Sequence, residues 1–296
     1  MNQYFIRYKN LILHSMVIVL GFTGILGELI SIKSIDLVWY RMLFSFIALF
    51  IFIQIKNELF TLNKRTTLEL ILIGFIVALH WIFFFESIKI SVPIGVISLS
   101  ASSLFTSLLE PLMLKKKFYR YEVILGIIII LAFFMMYNTA NESLVSAYIY
   151  GIISAFLATL FTIFNAKYVH KVTSYSITMI EMLGGVILIS LYFLFTSNLE
   201  VFSFNIEMMD LIYLLILSII CTSLVFALMT EIMKYITPYT LVMAVNLEPI
   251  YAIILSFILL PGEEPLNIYF YVGCFLIISC IYLDHYFKNN RLTSKI

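Results

Sequence analysis

Ten long stretches of the chain are almost wholly apolar, and charged residues gather in the short segments between them. Apolar residues run through each stretch without the alternation of a β-strand, and a helix that crosses a bilayer needs about 20 of them. The longest intervening segment has 14 residues, which leaves no room for a separate soluble domain. The pattern therefore predicts ten transmembrane helices, at residues 11–30, 37–55, 68–88, 93–114, 121–137, 147–166, 175–196, 211–233, 238–260 and 268–287.

The composition agrees with a chain that lies mostly in lipid. Apolar residues make up 62% and charged residues 12%, and the mean hydropathy is +1.06. In soluble domains, roughly 45–50% of residues are apolar and about 25% are charged. The net charge of +1 provides no basic surface for the phosphate backbone of a nucleic acid. These values exclude a soluble enzyme, a disordered chain and a nucleic-acid binder, and they favour an all-α polytopic membrane protein with the bilayer as its partner.

Lysine and arginine are concentrated in one set of connecting segments. If the N-terminus is cytoplasmic, the cytoplasmic segments hold 15 of the 18 basic residues and the outer loops hold only Lys33 and Lys89. Cytoplasmic loops of membrane proteins carry the excess of Lys and Arg. We therefore expect a multi-pass protein of the cell (inner) membrane with both termini in the cytoplasm.

The chain contains an internal repeat. At a shift of 145 residues, Glu86–Pro93 falls on Glu231–Pro238, and Glu, Lys and Pro coincide at the junction of two spans each time. The repeats would be residues 1–145 and 146–296, with five spans each. Because five is odd, the two repeats would cross the membrane in opposite directions, an architecture typical of secondary transporters with a substrate site near the midplane.

Several short motifs carry a resemblance to a known family. They are Tyr40-Arg41-Met42-Leu43 in the second span, the repeated Glu-x-x-Lys-x-x-x-Pro, Leu247-Glu248-Pro249 in the ninth span, Gly262-Glu263 and Gly273. In these motifs the chain resembles the drug/metabolite transporter superfamily of the EamA type, from about residue 15 to 285. The first half departs from the pattern, with Leu104 where a Pro is expected and Lys116-Lys117 where Gly-Glu is usual. The resemblance implies a ten-helix carrier that exports amino acids or other metabolites, as a facilitator or in exchange for protons.

Ionisable side chains inside a membrane are costly and usually functional. Glu248 lies midway along the ninth span and precedes Pro249, which is expected to kink or open the helix there. Its carboxylate could bind a cation, an ammonium group or a coupled proton, or could bond to a neighbouring helix. His80, midway along the third span, is a second candidate for proton relay, with a hydrogen bond to a backbone or a Ser as the alternative. Its neighbour Trp81 could line a pocket, although packing is favoured.

Serine residues are frequent in the fourth span. Helical spacing places Ser100, Ser103 and Ser107 on one stripe, and at the shift of 145 Ser103 falls on Glu248. Matched polar groups in the two repeats would form a two-sided substrate site. Close helix packing through small residues explains the same stripe.

Three more charged residues lie within spans. Arg41 and Glu28 are at similar depths in the second and first spans, and a short loop joins these spans, so an ion pair with a structural or outer-gate role is expected. Glu181, about two turns from the inner face in the seventh span, could join the cavity or bond locally.

The sequence favours a secondary active transporter that exports small metabolites such as amino acids or related amines by alternating access around a midplane cavity, with Glu248 as the candidate for proton coupling. Two alternatives are an intramembrane enzyme and a flippase for lipid-linked substrates. An enzyme is not expected, because no HExxH, GxSxG or paired intramembrane Asp is present. The three cysteines form no CxxC pattern, and neither a metal nor a cofactor is expected.

Overall fold

The computed structural model describes residues 2–56, 62–136, 144–259 and 268–293, and this part of the chain is helical without any strand. Continuous apolar runs favour helices because only a helix satisfies its own backbone groups in lipid. The helices are α1 (Asn2–Leu29), α2 (Ser34–Ile55), α3 (Lys64–Ile90), α4 (Val92–Ser98), α5 (Ala101–Leu114), α6 (Arg120–Met136), α7 (Val145–Asn165), α8 (Ser174–Phe195), α9 (Met208–Ser218), α10 (Val225–Ile232), α11 (Pro238–Val245), α12 (Glu248–Leu259) and α13 (Ile268–Thr293).

Each of the ten predicted runs is helical in its described part. Seven stretches of the described chain are long and apolar enough to cross a membrane, and they correspond to runs one to four and six to eight. The last residues of the fifth and ninth runs lie outside the described residues, as do Gly262-Glu263. The prediction of a multi-pass helical membrane protein is confirmed.

Two of the runs contain a helix that stops and starts again. The fourth run breaks at Leu99–Ser100, between α4 and α5, and the ninth breaks at Asn246–Leu247, between α11 and α12. The second break confirms the expectation that the backbone opens beside Pro249, which is the second residue of α12, a position that tolerates Pro. The breaks are 147 residues apart, so each half of the chain contains one.

Helix α3 is the centre of the packing and contacts α7 and α8, which belong to the other half of the chain. Its closest approach to α8 depends on glycines. A Cβ added at Gly74 would overlap the backbone carbonyl of Glu181, and a Cβ at Gly184 would overlap that of Ile71. Small residues let helices approach to backbone contact, the main source of packing energy between helices in lipid. Helices α6 and α13 pair with each other beside this core.

The eighth run contains a wider turn. Residues Ile219–Leu224, between α9 and α10, form a π-helix. Thr222 Oγ1 and Ser223 Oγ each donate to a carbonyl five residues earlier, that of Leu217 at 2.7 Å and that of Ser218 at 2.9 Å. Such single π turns occur often at functional sites.

Candidate functional site

A small cavity of about 80 Å³ lies among the helices of both halves. Its wall includes residues from α1, α2, α3, α5, α7, α10, α11 and α12 and from the break before α5. The residues with polar or aromatic side chains on this wall are Thr23, Arg41, His80, Trp81, Phe84, Ser102, Phe161, Thr162, Phe226 and Glu248. Four of the residues predicted from the sequence, Arg41, His80, Trp81 and Glu248, are thus brought together.

Arg41 provides the positive charge of the cavity. Its side chain is fully buried, and Nε donates to Thr222 Oγ1 at 2.7 Å. The guanidinium stacks on the Trp81 ring, 3.9 Å from its centroid, a contact that arginine makes better than lysine. One terminal nitrogen, Nη1, has no hydrogen-bond partner. Because a buried donor without a partner is costly, this nitrogen is a natural contact for an anionic group.

Glu248 provides the negative charge. It is the first residue of α12, where the partial positive charge of the helix N-terminus favours a carboxylate. Glu248 and Arg41 line the same cavity and their charges interact, but the two side chains form no ion pair. The cavity therefore presents one cationic and one anionic group that do not neutralise each other by direct contact.

His80 is held by a neighbouring helix. Its Nδ1 lies 3.0 Å from the Ser154 carbonyl oxygen, and Ser154 Oγ donates to the His80 carbonyl at 2.9 Å. These contacts are consistent with the tautomer in which Nδ1 carries the proton, so Nε2 of the neutral ring is an acceptor. The structure thus shows the alternative named above, in which His80 is hydrogen-bonded to a serine and its backbone carbonyl. A role of His80 in proton relay remains a prediction.

Part of the cavity wall, next to Arg41, is aromatic. The Trp81 ring packs edge-on against Phe226 at 5.0 Å, and Phe226 stacks with Phe161 at 6.0 Å. Trp81 is buried and lines the cavity, so it both packs and forms part of the wall. The sequence did not single out Phe161 and Phe226, because 27 phenylalanines carry no positional signal in an apolar chain.

The predicted serine stripe turns away from the cavity. Ser103 Oγ donates to the Ser100 carbonyl at 2.8 Å and Ser107 Oγ to the Leu104 carbonyl at 2.7 Å. None of Ser100, Ser103 and Ser107 lines the cavity, whereas Ser102 does. The reason is the phase of the helix after the break, which places Leu99 and Ser102, three residues apart, on the inner face. The stripe instead fits the alternative of close helix packing.

The predicted ion pair of Arg41 with Glu28 is wrong. Glu28 is exposed at the end of α1, while Arg41 is buried and bonded to Thr222 on the π-helical segment. Thr222 was missed because the sequence gives no sign of the π turn that brings it to Arg41. Glu181, the last predicted residue, is fully buried in α8 but does not line the cavity.

Hydrogen bonds join the two halves on both sides of the cavity. At one end, Ser31 donates through N and Oγ to Asp210, at 3.0 and 2.6 Å. At the other end, Glu110 accepts from the Tyr239 backbone N–H at 2.8 Å and from Lys116 at 2.9 Å. Ligand pockets usually exceed roughly 300 Å³, so the cavity in this conformation is smaller than most ligand sites.

A helical membrane protein with opposite charges in an internal cavity between two similar halves has the architecture of a carrier. Comparison with known families agrees, since the model of the EamA-like transporter family matches residues 9–138 and again residues 145–283. The chain belongs to this family. The family is a transporter family, and the two matches show a two-repeat architecture.

Comparison with solved structures supports the fold. One, titled only "Crystal structure of protein", superimposes with a TM-score of 0.72 over 92% of this chain and 95% of that chain, at 12% sequence identity. At this identity the likeness concerns the fold alone. A search of curated proteins finds no match.

Proposed function

We propose that the protein is a secondary active transporter of small zwitterionic metabolites, with α-amino acids as the substrate class, and that it exports them from the cytoplasm. The observation that carries this proposal is the pair of unneutralised opposite charges in one cavity, Arg41 and Glu248. A substrate carboxylate would bind the free Nη1 of Arg41, and its ammonium group would bind the carboxylate of Glu248.

The aromatic wall supports the same substrate class. The side chain of an amino acid would lie against the rings of Trp81, Phe161 and Phe226, which provide apolar contact area. Amines without a carboxylate, the other class suggested by the sequence, would use Glu248 and the aromatic wall but not Arg41. A wider cavity than the present one is required, which means that the two halves separate when substrate enters.

Alternating access would occur by rocking of one five-helix repeat against the other, with all ten runs crossing the membrane in an inverted arrangement. The two helix breaks, one in each half, support this arrangement because paired discontinuous helices mark the substrate site in many transporters. Entry from one side requires loss of the Glu110–Tyr239 bond, and entry from the other requires loss of the Ser31–Asp210 bonds.

Glu248 is the proposed coupling residue. A carboxylate that binds either a substrate ammonium or a proton exchanges one for the other, which is the basis of antiport. In an inner membrane with both termini in the cytoplasm, as the distribution of Lys and Arg predicts, inward proton flow would drive outward substrate flow.

The test compares metabolites released by cells that contain the wild type or Glu248→Gln at equal membrane levels. Release of one or more amino acids by the wild type alone would support the proposal, and proteoliposomes loaded with those amino acids would then measure their proton-dependent efflux. The matched control is Ser103→Ala, which changes a buried residue outside the cavity. Equal release by Glu248→Gln and wild type would overturn the role of Glu248.

A second function is favoured by a separate observation. A larger apolar pocket of about 360 Å³ lies between α2, α8 and the segment from Ile219 to α10. Phe52, Ile219 and Leu224 on its wall are exposed on the helix surface, which indicates an opening toward lipid. A flippase for lipid-linked substrates would use such an opening, and transfer of a labelled lipid in proteoliposomes that is abolished by Leu224→Trp would favour it over amino-acid export.

A further inference from the structure

Glu181 differs from every other acidic residue in the described part of the chain. Its side chain is fully buried, and neither carboxylate oxygen has a hydrogen-bond partner. It lies in α8 at the contact with α3, where Gly74 packs on the backbone of Glu181 itself. This contact joins the first half of the chain to the second and lies outside the substrate cavity.

Asn165, the last residue of α7, faces Glu181. Its Oδ1 is also buried without a donor. The Asn165 amide can serve both states of the carboxyl group: its N–H can donate to the carboxylate, and its oxygen can accept from the O–H of the protonated acid. Glu181 and Asn165 can therefore stay paired when the carboxyl gains or loses a proton.

A metal cation fits the site less well. Sodium and calcium sites need five or more oxygen ligands, and three side-chain oxygens are too few. No group of three or more His, Cys, Asp or Glu side chains that could hold a metal is found in the described ranges. A proton needs only one donor–acceptor pair and no additional space.

No other charge compensates Glu181. Its neighbour Asn165 is a neutral amide. None of the titratable and charged groups on the described elements packed against α8 forms an ion pair with Glu181. These groups are Asp36, Tyr40 and Arg41 on α2, Lys64, Arg65, Glu69, His80, Glu86 and Lys89 on α3, Cys221 on the π-helical segment, Glu231 on α10, and Lys167, Tyr168, His170 and Lys171 on the segment before α8. Burying a bare carboxylate in such surroundings costs far more free energy than burying the neutral acid.

We infer that Glu181 and Asn165 form an exchangeable proton site between the two repeats, separate from the substrate cavity. With the proton bound, the acid donates to Asn165 and the α3–α8 contact stays closed. Loss of the proton leaves a buried charge that one neutral amide donor does not compensate, which favours the arrangement in which α3 and α8 separate and water reaches the carboxylate. Proton release would therefore be linked to the movement of the two repeats.

The test detects the proton directly and does not depend on transport. Infrared difference spectra of the purified full-length protein in lipid nanodiscs, taken through a pH titration, report the carbonyl stretch of protonated carboxyl groups. In a Glu248→Gln background, which removes the signal of the cavity carboxyl, a titrating band that belongs to Glu181 is expected among those of the remaining carboxyl groups. Glu181→Gln should abolish this band, and Asn165→Leu should shift its frequency and not abolish it.

Substrate binding distinguishes this site from the proposed transport function. In otherwise wild-type protein, Glu181→Gln should leave amino-acid affinity unchanged, because Glu181 does not line the cavity, whereas Glu248→Gln should weaken it. The same protein should lose the pH dependence of its conformational equilibrium, measured by cysteine accessibility on either side of the α3–α8 contact. If amino acids do not bind at all, the transport proposal fails while the infrared result still stands.

Two results would overturn the inference. One is the absence of a carboxylic-acid band that depends on Glu181 at any pH at which the protein stays folded. The other is a band that depends on Glu181 but does not titrate, which would mean a permanent structural proton. If Glu181→Gln fails to insert, the frequency shift in Asn165→Leu decides, because that variant retains the carboxyl group.

Discussion

The two broken helices share a backbone arrangement and differ in chemistry. In the second half, the break precedes Glu248 and Pro249, so a carboxylate begins α12 and faces the cavity. In the first half, the break precedes Ala101 and Ser102, and a hydroxyl takes part in the wall instead. Residues at both breaks therefore take part in the cavity wall, whereas only the break in the second half is followed by an acidic residue.

The offset of 147 residues between the breaks pairs Ala101 with Glu248 and Ser102 with Pro249. The offset of 145 in the Glu-x-x-Lys-x-x-x-Pro motif pairs Ser103 with Glu248 and Leu104 with Pro249. Both offsets occur in one chain, because the segments between the matched features differ in length. Residues that correspond in space are therefore found from the breaks and not from the motif.

The largest effect is expected from removing the charge of Glu248, the residue that begins α12 after the second break. Glu248→Gln should weaken binding of a zwitterionic substrate by at least about 30-fold, since loss of one partner of a buried charge pair costs ~2–5 kcal/mol. Equilibrium binding to purified protein measures the change. Glu86→Gln, a carboxylate outside both cavities, is the control and should bind substrate normally. Unchanged affinity in Glu248→Gln would mean that the two breaks are equivalent in function.

Two proline substitutions test whether residues of the first break correspond to those of the second at an offset of 147 residues. Leu104→Pro places Pro at the fourth position of α5 and should destabilise the protein by about 3 kcal/mol, since it removes a backbone hydrogen bond within the helix. Ser102→Pro places it at the second position, as Pro249 is placed in α12. It loses the bond from the Ser102 N–H to the Leu99 carbonyl at 3.0 Å, but the helix is broken just before it, so the ring meets no regular preceding turn and the cost should be smaller. Thermal unfolding in detergent compares the two variants. Equal losses would contradict the correspondence.

Substitution of Arg41 tests whether this residue binds the carboxylate of the substrate. Arg41→Lys keeps the charge but loses the planar contact with Trp81 and the fixed geometry of the Thr222 bond. We expect a decrease of about tenfold in amino-acid affinity and no change for the corresponding amine. Competition binding with an amino acid and its decarboxylated amine gives both values. A parallel decrease for the two ligands would show that Arg41 acts through the fold and not through the substrate.

The smallest effect is expected from removing the hydroxyl group of Ser102, which lies on the cavity wall after the first break. Ser102→Ala removes a cavity hydroxyl and should weaken binding by about fivefold, the value of one ordinary hydrogen bond of ~1 kcal/mol. Ser103→Ala, in the adjacent position but bonded within its own helix, should have no effect on binding. Isothermal titration with both variants is sufficient. A larger effect of Ser103→Ala would restore the predicted stripe as part of the site.

The helices could be predicted because apolar runs of this length have few other structures available in lipid. Glu248, His80 and Trp81 could be found because charge, imidazole and indole are rare inside spans and stand out against leucine and phenylalanine. Arg41 was found for the same reason, but its partner was wrong. Proximity along the chain suggested Glu28, while the true contact, Thr222, lies 181 residues away and depends on packing.

The break at Leu99–Ser100 could not be predicted, since no Pro or Gly marks it. The same break also explains why the serine stripe was misplaced, because helical spacing holds only while a helix continues. Sequence pattern thus identified which residues are unusual, and the structure decided which of them share a cavity.

The π turn at Ile219–Leu224 has a consequence for aligning this chain with its relatives. A π turn is equivalent to one residue inserted into an α-helix, and its removal would rotate everything after it by about 100° about the helix axis. Phe226 and Met229 would then leave the cavity wall. A relative without this insertion would differ by a single-residue gap, and an alignment that omits the gap would equate lipid-facing positions of one protein with cavity-facing positions of the other.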